Sequence, residues 1–503
     1  MRPRRTPYSS LPSVLLLVVG ASACSFAPDP VAVPAVDAMP ASFSEDAAEP
    51  VQPTAGWWTT FEDETLDDLV VSALESNHDI TEAIARIDEV RAQYRIARSP
   101  LFPSVTAGAD ASRFSQPANA GQFGAIFGGG EGEGEEDPSL PERPSRFTFS
   151  TFGVSLAAAY ELDFWGRLNS GRRAAMADYL ATAADARTVQ ISVVAETIAT
   201  YFELRELIAR ADVLEEVIDI LGERLELTED RYQRGVSTSI ELYQIQQDLN
   251  NSLSGLPLLR SQLVSARGRL AVLLGRYPAE VDPMLADGGI PLVSLDPIPA
   301  GLPSEMLTER PDLQSAALRL EATRQRVGER RAARLPSINL TGSTGTQSSD
   351  LSNIIRADQW FTNFVASLTA PIFSGGRLKA EQEGAEARYA QEAARYARSV
   401  LTAFQEVDAA LAAFNAQRER TLILDDQLSV AQASADAAQL RVEQGVGDYV
   451  GYLDALRTVL NVQDTRATAE RDLATARLNV HRALGGAWID EAAENPDMGE
   501  LPR

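Results

Sequence analysis

The sequence predicts a mainly α-helical protein that carries a small transmembrane β part and that contains the same unit twice. Three observations lead to this fold class. A stretch of 31 residues recurs 233 positions later without a gap, four segments of strand length alternate between apolar and small or polar residues, and proline-free stretches of about 65 residues favour very long helices.

The duplication sets the domain organisation. Leu74 to Ser104 aligns with Leu307 to Ser337, and further on the sequence RYQRGV at Arg231 aligns with RVEQGV at Arg441, now 210 positions later. The first copy therefore holds 23 additional residues. We predict a first repeat over residues 57–290, a second over residues 291–488, and a C-terminal tail over residues 489–503.

The N-terminus has the layout of an export signal. Arg2, Arg4 and Arg5 precede an apolar run, and three small residues then lead to Cys24, the only cysteine. Residues 1–23 are predicted to be a signal peptide. Their end resembles the bacterial lipobox, which implies that Cys24 is acylated; the other interpretation is a stray thiol beside an ordinary cleavage site. Residues 24–56 are rich in Ala and Pro and are predicted to form a lipidated tether.

Composition excludes several functions. The formal net charge of −26 argues against a protein that grips nucleic-acid phosphates. One cysteine and two histidines make a Cys/His metal site improbable and provide no disulfide framework. No nucleophile and base stand in a catalytic pattern, so no catalytic, cofactor-binding or metal-binding residues are predicted and an enzyme is the least favoured class. His78 and His481 are interpreted as structural.

Each repeat is predicted to contain two strands, near 104–115 and 147–164 in the first copy and near 337–347 and 360–373 in the second. The second strand is the most regular, and its length and alternation are typical of outer-membrane barrel strands. A small, half-buried soluble sheet is the alternative. The extra residues of the first copy fall in a Gly- and Glu-rich loop between its strands, where residues 131–142 are interpreted as solvated rather than cation-binding. The predicted outward residues are Phe152, Val154, Leu156, Ala158, Tyr160, Leu162, Phe164, Phe364, Ala366, Leu368, Ala370 and Ile372, and the predicted lumen residues are Gly153, Ser155, Ala157, Glu161 and Asp163.

The helices are predicted to form one long hairpin in each repeat, with tips near 231–239 and 441–449. Ile191, Val194, Ile198 and the apolar residues after them recur at steps of three and four, which indicates coiling against a neighbouring helix. Four membrane strands cannot satisfy their own edge groups in lipid. We therefore expect oligomerisation, with a trimer closing a 12-stranded barrel.

Several motifs in order then resemble one family. They are WWTTFEDETLDDLVVSAL from Trp57, GLPSEMLTERPDL from Gly301, and the tips RYQRGV and RVEQGVGDYVGYLDALRTVL. Together they are similar to the TolC-like outer-membrane efflux ducts, and with Cys24 to the lipoprotein branch that includes OprM and the NodT-like proteins. The resemblance implies a homotrimer in the outer membrane of a Gram-negative bacterium, with a 12-stranded barrel and a helical periplasmic tunnel. It also implies lipid anchoring, a periplasmic adaptor and an inner-membrane pump of the resistance-nodulation-division (RND) type as partners.

The resemblance also implies site residues. A hydrophobic ring, an aspartate ring and a nearby arginine that close the periplasmic tip fall on Val450, Asp454 and Arg457, which share one helix face by spacing. The alternative is an ordinary solvated pair of Asp454 and Arg457. Family members carry an arginine where this chain has Gly447 and an aspartate where it has Gly451, so we expect Asp448 and Tyr449 to compensate. The adaptor-contact residues implied are listed by tip: Gly235 and Val236; Gly445 and Val446.

Two other functions fit parts of the pattern. A duct for protein secretion with an ABC exporter would use the same architecture. A non-conducting trimeric coiled-coil stalk or adhesin would use the signal peptide and long helices but would not need the duplicated strand pair. The sequence carries no visible information about the transported substrate.

Overall fold

The structure is a computed structural model that describes residues 26–40, 42–43, 56–117, 146–281, 284–285, 293–296, 298, 303 and 306–486. Its long helices and strands follow one another twice in the same order, which confirms the predicted duplication. Their bounds are: α1 Glu64–Ser76, α2 His78–Arg98, β1 Ser104–Pro117, β2 Arg146–Leu162, α3 Arg167–Gln233, α4 Ser239–Leu273, α5 Pro311–Ala332, β3 Ser337–Ser348, β4 Trp360–Thr369, α6 Arg377–Glu443 and α7 Tyr449–Leu484.

The chain divides into two compact units, and neither is a single repeat. The strand unit contains the described residues of Ala92–Met176 and Ala322–Tyr389 together with residues 26–30. The helical unit contains the described residues of Val31–Arg91, Ala177–Glu321 and Ala390–Arg503. Each unit draws on both repeats because the strands of the two copies pair with one another in one sheet.

The four strands form an antiparallel sheet in the order β1-β2-β3-β4. The register places Ala109 opposite Val154, Leu156 opposite Thr344, and Gly342 opposite Phe364. Because side chains alternate across a strand, these residues share one face. On this face Leu156 is 53% exposed and Phe364 71% exposed, which a water-facing sheet would not tolerate over so many neighbouring positions.

The opposite face of the sheet is small and polar. It carries, apart from Phe361 and Val365, the residues Ser104, Thr106, Asp110, Ser112, Ser155, Ala157, Glu161, Asn339, Thr341, Ser343, Gln347, Asn363 and Ser367. Gly153 makes room for the carboxylate of Asp110, since a Cβ at residue 153 would lie 2.7 Å from that oxygen. The alternation predicted for β2 therefore separates an apolar face from a hydrophilic one.

The predicted ends of two strands are wrong. β2 ends at Leu162, and Asp163 caps α3 instead of continuing the strand, because its carboxylate accepts hydrogen bonds from the backbone N–H groups of Leu168 (3.1 Å) and Asn169 (2.7 Å). β4 ends at Thr369, so Ala370 and Ile372 lie beyond it. A helix cap outcompetes the strand here because the first N–H groups of a helix lack partners within the helix.

Two apolar cores hold the helical unit together. The first joins α1, α3 and the ends of α4 and α7 around Leu66, Ile198 and Leu270. The second joins α6 and α7 around Val407, Phe414 and Val480. Ile80 lies in the first core and Leu313 in the second, at the same position of the two repeats. The seam predicted from Ile191 onward is buried at Val194, Ile198, Tyr201 and Leu204.

In each repeat an equivalent side chain binds the C-terminal end of the helical hairpin, and we call this contact the joint. The side-chain amide of Asn77 donates to the carbonyl of Leu273 at 2.9 Å. The guanidinium of Arg310, at the equivalent position, donates to the carbonyl of Ala483 at 2.9 Å. Arg310 also pairs at 2.8 Å with each of Asp312 and Glu406. Burial alone would lower the pKa of Arg310, but the bonds to these two carboxylates outweigh it and raise that pKa.

Within the described residues of the predicted tether, 26–40 and 42–43, two parts contact helices: residues 27 and 28 in the strand unit, and residues 35, 36, 39 and 43 in the helical unit. In the strand unit Arg324 donates to the carbonyl of Pro28 at 2.9 Å, and a Cβ at Gly328 would lie 2.7 Å from the backbone nitrogen of Ala27. In the helical unit Phe43 is 8% exposed and its ring lies 5.4 Å from that of Phe404. Burial of apolar side chains such as Phe43 offsets the conformational entropy that the segment loses when it is ordered. Residues 24–25, 41 and 44–55 lie outside the described residues.

His481, one of the two histidines interpreted as structural from the sequence, lies in the core. Its ring stacks on Trp57 with centroids 4.7 Å apart and planes 20° apart. Burial, and to a lesser degree the charge of Arg477, lowers the pKa of His481 to about 3. The native protein therefore holds this imidazole neutral at any pH near neutrality.

The stability of the protein is expected to fall on acidification in part because of His481. The unfolded chain binds a proton near pH 6.5 and the folded chain does not, so the contribution is complete above pH 6.5 and is lost as pH falls toward 3, at up to about 1.4 kcal/mol per pH unit. His481→Phe keeps an aromatic ring against Trp57. Its melting temperature should fall less between pH 7 and pH 4.5 than that of the unchanged chain. His78→Phe, at an exposed position, is the control and should behave as the unchanged chain. Equal losses in all three proteins would contradict the assignment.

Candidate functional site

The candidate site lies at the tips of the two helical hairpins, and both tips are built in the same way. α3 ends at Gln233 and α6 at Glu443, and Gly235 and Gly445 follow with φ of 73° and 71°. Val236 and Val446 then donate their N–H groups back to the carbonyls of Arg231 (2.8 Å) and Arg441 (3.0 Å). This is the helix ending that glycine favours, since a left-handed backbone costs glycine little.

The helices that leave the tips begin at matching caps. Thr238 caps α4 in a capping box with Glu241, whose own carboxylate bonds to Ser237 and to the backbone N–H of Thr238 and so has a lowered pKa. Asp448 caps α7 through the N–H of Val450 at 3.4 Å. The caps fix where each return helix starts. The tips predicted near 231–239 and 441–449 are therefore where the chain reverses.

The four residues implied for adaptor contact lie at the outermost turns. Val236 is 67% exposed, Val446 is 68% exposed, and Ile240 in the first turn of α4 is 67% exposed. Large apolar side chains gain nothing from water, so exposed ones at the ends of the hairpins are typical of a surface that binds another protein.

The three residues implied for closure lie in the first turns of α7. Val450, Asp454 and Arg457 are all partly exposed, and their spacing places them on one helix face. Asp454 and Arg457 do not form the solvated pair considered as the alternative. Each finds its partner on a helix of the first repeat.

Asp454 pairs with the Arg224 guanidinium on α3, and Arg457 pairs with Asp248 on α4 at 3.3 Å. On the same stretch of α7, Leu453 and Leu460 are buried against Ile220 of α3. This apolar seam and the two ion pairs, in which α7 contributes first a negative and then a positive charge, join the tip of the second repeat to the first repeat.

Two further polar contacts join the start of α7 to α3. The Tyr449 hydroxyl donates to Glu223 at 3.2 Å, and Arg231 lies 3.6 Å from Asp448. Partial burial and the nearby Glu223 raise the pKa of Tyr449. Asp448 and Tyr449, which the sequence suggested as replacements for the missing Arg and Asp of the family pattern, do make polar contacts at the tip.

The structure gives a physical reason for glycine at residue 447. A Cβ there would lie 2.8 Å from the carbonyl carbon of Arg441, and the Gly447 N–H bonds to the carbonyl of Arg441 at 2.8 Å. A larger residue would have to open the turn. Gly451, by contrast, faces open space, so its departure from the family pattern has no steric cause.

Sequence reasoning did not identify Arg224, Asp248 and Glu223 as members of this site. Each lies more than 200 residues from its partner and on a helix with many charged residues. Their positions in the repeat offer no signal either, because residue 434, equivalent to Arg224, is a serine. Only the packing of α7 against α3 and α4 selects them.

Other predicted features are outside this site or outside the described residues. Cys24 and the acidic loop at 131–142 belong to the latter group. Across the residues that the structure describes, no three His, Cys, Asp or Glu side chains are grouped as metal ligands would be. No helix within those same described ranges combines the length and apolar character needed to cross a membrane.

Comparisons with known proteins agree with one another. The family model described as outer membrane efflux protein matches residues 69–276 and 302–486. The antibiotic efflux pump outer membrane protein ArpC of Pseudomonas putida is 31% identical over 495 residues, which is 96% of this chain and 97% of ArpC. The cation efflux system protein CusC of Escherichia coli is 30% identical over 487 residues, with 96% and 99% covered. The solved structure of the outer-membrane channel OprN superposes with a TM-score of 0.78 at 28% identity, with 92% of this chain and 99% of that chain covered.

The matched segments follow the two repeats, and the relatives are matched over nearly their whole length. The order of elements, the four-stranded sheet and the paired hairpins are therefore those of one known architecture. The chain belongs to the outer membrane efflux protein family.

Proposed function

We propose that the chain is the outer-membrane channel of a tripartite efflux system in a Gram-negative bacterium. It passively conducts small solutes that a periplasmic adaptor and an inner-membrane pump deliver, and it hydrolyses nothing itself. Family membership supports the general role. The observation that carries it for this chain is the sheet, which exposes most of its large apolar side chains on one face and has a mainly hydrophilic opposite face.

The same sheet supports a homotrimer. Within the described residues β1 pairs only with β2 and β4 only with β3, so each outer strand has one edge without a partner. Unpaired backbone N–H and C=O groups cannot remain exposed in lipid. Pairing of β4 with β1 of another copy closes the sheet, and three copies provide 12 strands with the apolar face outward and the polar face inward.

The hairpin tips are proposed to meet the adaptor through Gly235, Val236, Gly445 and Val446. The partner pump is proposed to be of the RND type, as the lipoprotein branch implies, and the anchor to be acyl chains on Cys24.

The closing residues are proposed to be Val450, Asp454 and Arg457. Their ion pairs with Arg224 and Asp248 hold α7 against the hairpin of the first repeat. Release of these pairs would free α7 to move away from it, which widens the opening between three copies. The surface position of the pairs keeps each of them weak, which suits a contact that has to open.

No substrate is assigned. ArpC is named for antibiotics and CusC for cations, although both are about equally similar to this chain. We therefore propose only that the solutes are small and that the pump selects them.

Complementation tests the proposal. The chain would be expressed, with its own adaptor and pump genes, in a Gram-negative strain that lacks its endogenous outer-membrane efflux channels. We expect restored resistance to at least one compound class in a drug panel, and a discrete pore when the purified oligomer is added to planar bilayers. Export of a protein without any gain in resistance would favour the secretion duct. A folded oligomer without a pore would favour the stalk.

A further inference from the structure

The β1–β2 hairpin changes polarity where it leaves the sheet. β2 pairs with β3 only as far as Phe152, opposite Ser348. The six pairs from Ser112 opposite Thr151 to Pro117 opposite Arg146 are bonded to one another only, among the described strands. They form a two-stranded ribbon that continues about 20 Å past the end of β3.

The polarity of the two faces is reversed in the ribbon: the face that is apolar in the four-stranded sheet becomes polar, and the hydrophilic face becomes aromatic. The ribbon face continuous with the apolar face of the sheet carries Arg113, Ser115, Thr148 and Arg146, and Ser115 accepts a hydrogen bond from Arg146 at 3.2 Å and bonds to Thr148 at 3.2 Å. A surface of this kind suits water and not lipid, so the apolar band ends near residues 112 and 151.

The other face of the ribbon, continuous with Asp110 and Ser112, carries the aromatic residues Phe114 and Phe149. Phe114 and Phe149 lie directly opposite each other in the register and are 59% and 44% exposed in the single chain. Such directly opposed aromatic residues form a favoured cross-strand pair. Because they continue the hydrophilic face, they point to the side on which the proposed channel has its lumen.

We infer that Phe114 and Phe149 of three copies form an aromatic ring that narrows the outer mouth of the channel. This inference rests on the proposed trimer. The ribbon lies at the end of the sheet away from the helices, since α2 precedes β1 and α3 follows β2 at the other end. A 12-stranded barrel has a backbone diameter of about 24 Å, and side chains reaching about 6 Å inward from all sides leave about half of it. Ribbons without a β3 neighbour can lean further toward the axis.

In the trimer this aromatic surface therefore faces the same surface of the two neighbouring copies across the lumen. Water is a poor partner for six exposed rings, and lipid is excluded by the charged and hydroxyl side chains on the outer face of the same ribbon. The arrangement would make the mouth a second, apolar constriction in addition to the one proposed at the periplasmic tip. Such a constriction would slow the passage of charged solutes more than that of apolar solutes.

Cysteine cross-linking of the full-length oligomer in membranes tests the geometry. Phe114→Cys should form cross-linked dimers of the chain with a bis-maleimide reagent that spans about 15–20 Å, roughly the separation of equivalent residues across a lumen about 24 Å wide, whereas Arg113→Cys, one residue away on the outer face, should not. The unchanged chain, whose only cysteine is Cys24, corrects for cross-linking at that residue. Equal yields from the two variants, or no cross-link from Phe114→Cys in an intact trimer, would overturn the inference.

Conductance tests the consequence. In planar bilayers the double change Phe114→Ser with Phe149→Ser should raise single-channel conductance about twofold in an Asp454→Ala background, where the tip no longer limits the current. Arg113→Ser with Thr148→Ala, on the outer face, should leave it within experimental error. An unchanged conductance in the first variant overturns the constriction while leaving the channel itself intact. A folded oligomer that conducts nothing in any variant overturns the proposed function instead.

Discussion

Asp454→Ala is expected to make the closed channel leak. The change removes the partner of Arg224 and leaves that guanidinium, whose side chain is 17% exposed, beside α7 without its carboxylate. The variant should raise single-channel conductance several-fold and should admit vancomycin into cells that otherwise exclude it. Asp454 is itself 45% exposed, so loss of its ion pair should change the free energy of unfolding by less than about 1 kcal/mol. The leak would then come from a displaced α7 and not from an unfolded protein.

A matched control exists on the same two helices. Asp464 of α7 pairs with Arg210 of α3 at 2.8 Å, with a side-chain exposure of 41%, ten residues further from the tip. Asp464→Ala removes an ion pair of the same kind but should leave conductance and vancomycin exclusion unchanged. If both variants leak, the effect is a general loosening of α3 from α7. If neither leaks, Asp454 does not close the tip.

Arg310→Ala is expected to be the most destabilising single change discussed for this chain. The Arg310 side chain is 9% exposed and bonds to Asp312, Glu406 and the carbonyl of Ala483, so one substitution leaves three acceptors without their donor. Removing one partner of a buried ion pair costs about 3–5 kcal/mol. Asp312 and Glu406 are 44% and 47% exposed and can turn to water, which reduces the expected loss to about 2–3 kcal/mol. Thermal unfolding of the detergent-solubilised oligomer at fixed concentration measures it.

The first repeat suggests how to separate the contacts of Arg310. Asn77 holds the equivalent carbonyl with a neutral amide. Arg310→Asn should therefore unfold at a temperature between those of the unchanged chain and Arg310→Ala. Arg319→Ala, which breaks an exposed pair with Asp185, is the control and should cost less than about 1 kcal/mol. A melting temperature of Arg310→Ala equal to that of the control would show that Arg310 does not hold the joint.

Much of the architecture could be predicted from local pattern. The duplication, the four strands and the two tips all leave periodic signals in the sequence, and their predicted positions agree with the structure to within a few residues. The exceptions have local competitors. Asp163 continues the alternation of β2 but serves as a helix cap, and the Ala- and Pro-rich stretch lacks periodicity but packs through scattered residues such as Phe43.

The tip shows where pattern stops being informative. Glycine, a cap residue and an exposed valine at each tip follow from the repeat itself. The partners of Asp454 and Arg457 do not, because an ion pair between helices has no period and any of the many charged residues of α3 and α4 would have been acceptable. The pairing of Asp454 with Arg224, and not with Arg457 as in the alternative interpretation, depends on the packed seam of Ile220, Leu453 and Leu460.

The amino-acid sequence by itself determined the family, the twofold repeat, the element order and the likeness of the two tips, since each depends on residues close together in the chain. The tertiary structure alone decided which segments of the two repeats pack into each unit, that Phe114 and Phe149 lie opposite each other on the continuation of the hydrophilic face, and which charges join α7 to the first repeat. Those features depend on pairing register and helix packing. Both bring together residues that are distant in sequence, where many alternative pairings have nearly the same local energy.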